Sequence, residues 1–141
     1  MGLIIDWIPK ADMAEMAELL AVLNEGKTAE DMLPIIAELQ KLNYKCVGVR
    51  TEGRLIGLCG VWPLYKHYIG KHLEVDNVVI HTDFRGQNIG EKMLQFVADW
   101  GEKEEYKVIE LNAYVENEAA HRFWERIGFR KLGFHMRKEL G

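Results

Sequence analysis

The chain has 141 residues, of which 48% are hydrophobic, so it is long enough for one domain with a continuous core and too short for two ordinary domains. Its 18 basic and 22 acidic residues give a net charge of -4, which offers no general attraction to nucleic acid or to an anionic membrane and suits a cationic substrate better. The chain does not begin with a basic region followed by a long apolar segment, and no apolar run approaches membrane-spanning length, so the expected location is the cytoplasm.

The N-terminal part of the chain predicts one strand followed by two helices. Residues 3–8 form a short apolar run that suits a first strand, and Asp12 is placed to cap a helix with apolar residues at helical spacing. A second amphipathic helix follows. Because a proline at the third helical position loses no internal hydrogen bond, Pro34 indicates that this helix starts near Asp31 rather than near Thr28.

The next segment indicates a hairpin. Residues 46–51 and 54–61 are rich in residues that favour strands, and they flank Glu52-Gly53, which predicts a tight two-residue turn. Three glycines inside these strands indicate bulges or a close approach of neighbouring backbone: Gly48, Gly57 and Gly60.

The second half of the chain alternates strands and helices. The predicted order is a strand at 72–81, a Gly-rich turn with a helix to about residue 104, a strand at 108–115, a helix at 116–127 and a final strand at 129–138. Strands joined through a helix pair in parallel, whereas the hairpin is antiparallel. We therefore expect a single α/β (α+β) domain over residues 1–141, with a mixed central sheet of about six or seven strands flanked by about four helices.

The two cysteines, Cys46 and Cys59, lie in apolar segments without a CxxC motif or the spacing of metal ligands. A free cysteine in such a segment behaves as a small hydrophobic residue. We therefore expect buried, reduced thiols, with no disulfide framework and no metal site.

The most informative stretch is Arg85-Gly86-Gln87-Asn88-Ile89-Gly90, which follows the apolar run Val78-Val79-Ile80 and opens an amphipathic helix. A tight turn of this kind lets backbone N–H groups face an anion, and the positive end of the helix dipole favours phosphate oxygens there. Glycine occupies only the second and sixth positions, which fits neither the dinucleotide-binding fingerprint nor the P-loop. The turn therefore predicts a phosphate site of another kind.

A second informative run is Asn117-Glu118-Ala119-Ala120-His121-Arg122-Phe123-Trp124-Glu125-Arg126-Ile127-Gly128-Phe129. Together the two runs resemble the motifs of the GNAT superfamily of acyl-CoA-dependent N-acetyltransferases, Arg/Gln-x-x-Gly-x-Gly/Ala and Asn-x-x-Ala-x-x-Phe-Tyr-x-x-x-Gly-Phe. The resemblance covers residues 44–138 closely and the N-terminal helices by element order. Two positions depart from it, because Asn88 replaces the middle Gly and Trp124 replaces Tyr. Asn tolerates left-handed backbone better than most residues, so the turn can keep its shape.

The resemblance implies an acetyl-CoA site built largely on backbone groups. In the family two parallel strands splay apart and the pantetheine arm pairs with the first of them; the matching strands here are residues 75–81 and 108–115. Pyrophosphate would lie at residues 85–90. The residues implied in cofactor binding are Val78, Val79, Ile80, Arg85, Gly86, Gln87, Asn88, Ile89, Gly90, Asn117, Ala120 and Trp124. Two of them also suit plainer roles, Asn117 as a helix N-cap and Arg85 as a solvated turn residue.

Direct acetyl transfer needs a neutral amine, yet an alkyl ammonium with a pKa of about 10 is mostly protonated at neutral pH. In the family a carboxylate on the central strand often takes the proton, directly or through water, so Glu74 and Asp76 are the candidate bases. On an ideal strand they share one face with Val78 and Ile80, and a bulge would change which of them points inward. Each acid suits a solvated or ion-paired strand position equally well.

The acid usual in the family is missing. Members commonly place Tyr at the position of Trp124 to protonate the departing CoA thiolate, and an indole N–H cannot act as that acid. Water or Tyr114 is left as the proton donor, although Tyr114 also suits a core position on a strand. His67 and His72 flank the entry to the strand of the candidate bases and are alternative proton acceptors.

The acceptor pocket is expected at residues 24–31 and in a loop at residues 62–71. Acids and aromatic rings in these segments attract a cationic amine through charge and cation–π contact. The segments supply Glu25, Glu30, Asp31, Trp62, Tyr65, His67 and Tyr68. The expected acceptor is a small-molecule or peptide amine, with neither nucleic acid nor membrane as a partner, and a second copy that completes the last sheet edge would make a homodimer.

Two functions fit these motifs. The first is an N-acetyltransferase that moves an acetyl group from acetyl-CoA directly to a primary amine. The second is a regulatory domain of the same fold that binds acyl-CoA without turnover. The departures from the family motif at Asn88 and Trp124 are what suggest this second function.

Overall fold

The centre of the fold is one sheet whose strands lie side by side in the order in which they occur in the chain. A computed structural model describes residues 2–141. Within that range the strands are β1 (Ile4–Trp7), β2 (Lys45–Thr51), β3 (Arg54–Lys66), β4 (Gly70–Ile80) and β5 (Val108–Leu111). The α-helices are α1 (Ala17–Leu23), α2 (Ala29–Leu39), α3 (Ile89–Lys103) and α4 (Glu118–Arg126), and two short 3₁₀ helices occupy Lys10–Met16 and Thr82–Phe84.

The chain forms two compact units, one that ends at Glu110 and one over residues 111–141. The first holds β1 to β4 with α1 to α3, and the second holds α4. The expectation of a single domain over residues 1–141 stays a prediction. None of the helices in residues 2–141 combines the length and the hydropathy needed to span a membrane.

Pairing within the sheet is mixed. Each strand from β1 to β4 runs antiparallel to its neighbour. β5 runs parallel to β4 after the crossover through α3, and the Lys107 backbone N–H donates to the Lys71 carbonyl at 2.9 Å where the two strands begin. The predicted mixed sheet with parallel and antiparallel pairs is confirmed, but within residues 2–141 it has five strands rather than six or seven.

Two predicted strands are shorter or absent. β5 ends at Leu111 rather than at residue 115, and residues 129–138 form no strand in the described chain. Those residues do alternate apolar and polar side chains, but alternation shows only which face a strand would bury. A strand also needs a neighbouring edge whose N–H and C=O groups complete its ladder. The homodimer through the last sheet edge stays a prediction.

Hydrophobic side chains cover both faces of the sheet. On one face α1, α2 and the first 3₁₀ helix enclose a buried cluster that includes Leu58 and Val79. On the other face α3 packs so closely that a Cβ added at Gly101 would lie 2.9 Å from Leu73 Cδ1. β4 therefore presents Val79 to the α1–α2 side and Leu73 to the α3 side.

The starts of the N-terminal helices differ from the prediction. Asp12 lies inside a 3₁₀ helix rather than at a cap. α2 begins directly after Thr28, because Thr28 Oγ1 accepts from the Asp31 N–H at 3.2 Å and Asp31 Oδ2 accepts from the Thr28 N–H at 2.8 Å. This capping box satisfies two N–H groups at the helix start and offsets the one internal hydrogen bond that Pro34 cannot donate.

Two hairpins shape the middle of the sheet. The predicted turn Glu52-Gly53 joins β2 and β3 with φ angles of 50° and 80°, the left-handed pair that a two-residue hairpin turn requires. β3 and β4 extend further than predicted, since Lys66 pairs with Gly70. The prediction of a loop over residues 62–71 is therefore wrong, because most of these residues belong to strands and the turn is confined to 67–69.

Candidate functional site

A bulge lies in the middle of β4. The register between β3 and β4 shifts at Gly60, which lies opposite two residues of β4, Asp76 and Asn77. A Cβ at Gly60 would overlap Asn77 Oδ1 and Tyr44 Oη, and the Tyr44 hydroxyl donates to Asn77 Oδ1 at 3.3 Å. Gly60 therefore makes room for the extra residue, which confirms the interpretation of this strand glycine as the mark of a bulge.

The bulge changes which face the later side chains of β4 occupy. Val79 belongs to the cluster on the α1–α2 side, whereas the Ile80 side chain lies beside Ile89 of α3 on the other side. An added residue reverses the alternation of a strand. The prediction that Glu74 and Asp76 share a face with Val78 and Ile80 is therefore wrong: the two acids lie on the face of Val79.

Both candidate bases face one tryptophan. Glu74 pairs directly with Trp62 across the β3–β4 ladder. The Trp62 Nε1–H donates to Asp76 Oδ2 at 3.0 Å, and the Trp62 ring lies 5.0 Å from the ring of buried Tyr44. Glu74 is half-buried and Asp76 is exposed. The structure thus brings the two predicted acids together on one side of the sheet, next to a partly exposed aromatic ring.

Charged side chains near Glu74 add to the electrostatics of this face. Lys66 Nζ lies 3.6 Å from Glu110 Oε1. Burial acts to lower the pKa of Lys66, but Tyr68, Glu110 and Glu74 act to raise it, and the net direction is upward. Lys66 therefore stays a cation beside the acids.

The two histidines differ in setting. His72 is completely buried on β4, and its Nε2 lies 3.8 Å from Glu110 Oε1. Neither ring nitrogen of His72 has a hydrogen-bond partner within residues 2–141. His67 lies in the turn between β3 and β4, with its ring 5.1 Å from that of Tyr68. The sequence suggested that His72 lies at the entry to the strand. In the structure its side chain is enclosed among neighbouring residues.

The Gly-rich turn keeps the left-handed shape that the sequence predicts. Gly86 has a φ of 83° and Asn88 a φ of 59°, and residues 85–88 are exposed. Arg85 Nε donates to the Ile80 carbonyl at 3.3 Å, which ties the guanidinium to the end of β4. The first helical hydrogen bond runs from the Lys92 N–H to the Asn88 carbonyl at 3.1 Å. The N–H groups before Lys92 thus start α3 without helical acceptors and are suited to an anion.

The turn packs closely against β3. A Cβ at Gly57 of β3 would lie 3.1 Å from Ile80 Cδ1 and 3.7 Å from Ile89 Cγ2. Ile89, the first residue of α3, is buried, whereas Gly90 is half-buried. Gly57 therefore allows Ile80 and Ile89, which flank the turn, to approach the backbone of β3 closely, as the sequence indicates.

A second arginine near the turn was not predicted. An Arg54 N–H approaches His81 Nε2 at 2.9 Å, and the Arg54 guanidinium lies 5.8 Å from the Phe84 ring. The Asp83 N–H donates to His81 Nδ1 at 3.1 Å. No spacing along the chain connects residue 54 to residue 81, because the contact arises only when β3 and β4 pair.

Within residues 111–141, α4 shows local contacts for the second motif. Asn117 Oδ1 accepts from the Ala120 N–H at 3.1 Å, which is the N-cap role that the sequence allowed. The Trp124 ring packs between Phe123 at 4.8 Å and Phe129 at 5.5 Å. Tyr114 lies in the irregular segment after β5, so a strand position for it is wrong. The role of Asn117, Ala120 and Trp124 toward a cofactor stays a prediction.

The two cysteines are free and buried, as predicted. Burial raises the pKa of the Cys46 thiol to about 12 and also raises the pKa of the Cys59 thiol. A thiol with so high a pKa carries almost no thiolate at neutral pH and is a poor nucleophile. Neither cysteine therefore competes with the carboxylates as a reactive group.

Comparisons with known proteins agree with this geometry. The model of the acetyltransferase (GNAT) family matches residues 13–129. The uncharacterized N-acetyltransferase YhdJ of Bacillus subtilis is 26% identical over 131 residues, which cover 89% of this chain and 92% of the relative. The structure of a ribosomal-protein-alanine N-acetyltransferase from Brucella melitensis superposes with a TM-score of 0.85 at 22% identity, over 99% of this chain and 100% of the other. The aminoglycoside N-acetyltransferase AAC(6')-Iy, solved in complex with CoA, gives a TM-score of 0.83 at 14% identity, over 99% of this chain and 95% of the other.

Proposed function

Because the chain belongs to the GNAT acetyltransferase family, we propose that it transfers an acetyl group from acetyl-CoA directly to a primary amine of a small molecule or a peptide. The observation that carries this proposal is the exposed left-handed turn at residues 85–88, placed between the end of β4 and the start of α3. A family fold without such a turn would have no place for the diphosphate of the acyl donor.

The residues of the turn fit a diphosphate. Gly86 carries no side chain at a positive φ, and a Cβ added there would meet nothing within 4 Å, so the space above the backbone is open. Asn88 adopts the left-handed conformation that a middle glycine would otherwise provide. Arg85 adds a cation whose Nε is already anchored, which leaves the outer N–H groups of its guanidinium for phosphate oxygens. The pantetheine arm would then extend along the backbone of Val78, Val79 and Ile80.

The acids on β4 suit the chemistry of amine acetylation. A carboxylate takes a proton from the acceptor's ammonium group, directly or through water. The neutral amine nitrogen then forms the new bond to the thioester carbonyl carbon, and the C–S bond breaks to release CoA as its thiolate. The nitrogen loses a second proton to give the neutral amide, and a proton returns to the thiolate to give the free thiol of CoA. Glu74 and Asp76 lie on one face of β4 beside the bulge, where both can serve an amine that approaches from the side of α1 and α2.

One observation favours a second function. Trp124 occupies the position of the usual Tyr acid, and its partly buried ring makes edge-to-face contacts with Phe123 and Phe129. An indole cannot protonate the departing thiolate, so an acyl-CoA-binding domain without turnover is the alternative. Under the enzymatic proposal, water or the Tyr114 phenol supplies that proton.

Two measurements separate these functions. Titration calorimetry with acetyl-CoA measures binding, and release of free CoA thiol across a panel of primary amines measures transfer, with an amine-free sample as the control for hydrolysis. Binding with amine-dependent thiol release supports the enzyme. Binding without release from any amine supports the regulatory domain, and the absence of binding contradicts both.

A further inference from the structure

The two acids on β4 differ in what they contact. Asp76 Oδ2 accepts the Trp62 Nε1–H at 3.0 Å. Glu74 lies opposite the same tryptophan, and within residues 2–141 its carboxylate accepts no hydrogen bond, although its charge acts on Lys66. An indole N–H can only donate, so the contact holds Asp76 as an acceptor in one orientation. The pair therefore consists of one fixed carboxylate and one free carboxylate.

Trp62 is itself fixed by the core. Its ring lies 5.0 Å from that of Tyr44 at an interplanar angle of 58°, and Tyr44 is only 1% exposed. The Tyr44 hydroxyl donates to Asn77 Oδ1, next to Asp76 in the bulge. Trp62 and Asp76 are thus linked both through the side-chain hydrogen bond and through Tyr44, and such support restricts a side chain to one geometry.

We propose that Trp62 is a positioning residue that holds Asp76 as the anion which orients the acceptor's ammonium group, while the free carboxylate of Glu74 takes the proton. This assignment rests on the proposed acetyltransferase function. A fixed carboxylate suits orientation, because its geometry is set before the amine arrives. A group that accepts and then releases a proton needs an oxygen that is not already engaged, which Glu74 has and Asp76 has only in part.

The same arrangement selects a class of acceptor. Two carboxylates on one face, two residues apart, attract an ammonium group and repel any carboxylate that the acceptor carries close to it. Lys66 is a cation close to Glu74, but its Nζ already lies 3.6 Å from Glu110 Oε1. The preferred acceptors are therefore primary alkylamines without a nearby acid, rather than amino acids.

A double-mutant cycle tests the coupling. The variants are Trp62→Phe, Asp76→Asn and the double variant, assayed with butylamine and with 2-aminopentanoate, which is butylamine with a carboxylate on the carbon that bears the amine. We expect Asp76→Asn to raise KM for butylamine roughly 10-fold, as for the loss of a hydrogen bond to a charged group, and Trp62→Phe to raise it less, roughly 3-fold. The double variant should match Asp76→Asn alone, because Trp62 acts only through Asp76. Asp76→Asn should also narrow the preference for butylamine over 2-aminopentanoate.

Trp100→Phe is the matched control. Trp100 of α3 packs on Trp7 of β1, on the face of the sheet opposite Glu74 and Asp76, so this change should leave KM for both amines and the affinity for acetyl-CoA unchanged. If Trp62→Phe does not fold, Asp76→Asn still decides: the proposal requires its pH–rate profile to keep the wild-type shape, because Glu74 remains the base.

Three results overturn the assignment: additive effects in the double variant, an unchanged amine preference in Asp76→Asn, or a pH–rate profile flattened by Asp76→Asn. Failure of the proposed function looks different, because the unmodified protein would then release no thiol with any amine. In that case the protein does not catalyse the transfer, and Trp62 has no positioning role in it.

Discussion

The two halves of the candidate site, one in the middle of β4 and one in the turn that leads from β4 to α3, are built in different ways. The turn at residues 85–90 works through main-chain N–H groups, and its shape is set by two left-handed residues, Gly86 and Asn88. The acid face at residues 74–77 works through side chains whose direction depends on a bulge opposite Gly60. A backbone site tolerates changes of side chain that keep its dihedral angles, whereas a side-chain site depends on every residue that sets the phase of the strand.

The largest expected effect is at the acid face. We expect Glu74→Gln to lower kcat at neutral pH roughly 100-fold or more, because an amide of the same shape cannot accept the proton. Activity should rise again at alkaline pH, where more of the amine is neutral. The pH–rate profile with a saturating amine measures this, and calorimetry should show an unchanged affinity for acetyl-CoA, since the turn at residues 85–90 is intact.

Glu102→Gln provides the control for this substitution, because Glu102 is an exposed residue of α3 outside the site. It should retain the wild-type profile. If the pH–rate profile of Glu74→Gln coincides with that of the wild type, Glu74 is not the base. The acid face would then have no role in proton transfer.

The next effect is on the bulge itself. We expect Gly60→Ala to destabilise the protein by about 1–3 kcal/mol, because the added Cβ would overlap Asn77 and Tyr44 in a packed region. Urea unfolding at equilibrium measures this. Gly133→Ala is the matched control, since a Cβ there meets nothing within 4 Å and should change stability little. Equal stability of the two variants would show that the bulge is loosely packed. The acid face would then depend less on the packing at Gly60 than we propose.

These two regions also explain how far the sequence could be interpreted. The order of strand, turn and helix around residues 85–90 follows from Gly, Asn and an amphipathic pattern, all of which act locally, and the structure has this order. The contact between Trp62 and Asp76 depends on the pairing of two strands and on a bulge, and only Gly60 marks that bulge in the sequence. A face assigned from ideal alternation is reversed by one added residue, so Val78 and Ile80 were placed wrongly.

The fold shows the same division. The turn at Glu52-Gly53 was predicted correctly, because its residue types determine its left-handed angles. The predicted start of α2 near Asp31 is wrong, because the capping box of Thr28 and Asp31 stabilises an earlier start than Pro34 alone indicates. The strand expected at residues 129–138 is absent, because an alternating pattern does not specify a partner for its backbone.

A smaller effect sharpens the comparison at the turn. Asn88 has a φ of 59°, so we expect Asn88→Val to cost about 1–2 kcal/mol of strain in the turn and to weaken acetyl-CoA binding. Asn88→Gly should bind acetyl-CoA at least as tightly as the wild type, because glycine adopts this conformation without a side chain. Calorimetry with acetyl-CoA measures both.

Gln87→Val is the control for Asn88→Val, because Gln87 is the exposed neighbour without a positive φ. It should bind acetyl-CoA nearly as well as the wild type. Should the two valine variants bind equally, backbone conformation would not control the turn, and the distinction between a backbone site and a side-chain site would be wrong.

The smallest expected effect concerns a carboxylate outside both regions. The hydrogen bond from the Thr28 backbone N–H lowers the pKa of Asp31 below its ordinary value of 3.8. Because the pKa of Asp31 is lower in the folded state, its carboxylate contributes its full stabilisation at pH values above about 3.8. This contribution is lost as the pH falls through the lower pKa of the folded state. We expect Asp31→Asn to be slightly less stable than the wild type at neutral pH, and the two unfolding curves to converge in acid. A difference that stays constant with pH would contradict the capping role. Because Asp31 caps α2 whereas Glu74 is the proposed base, a fall in pH should act on stability through Asp31 and on acetyl transfer through Glu74.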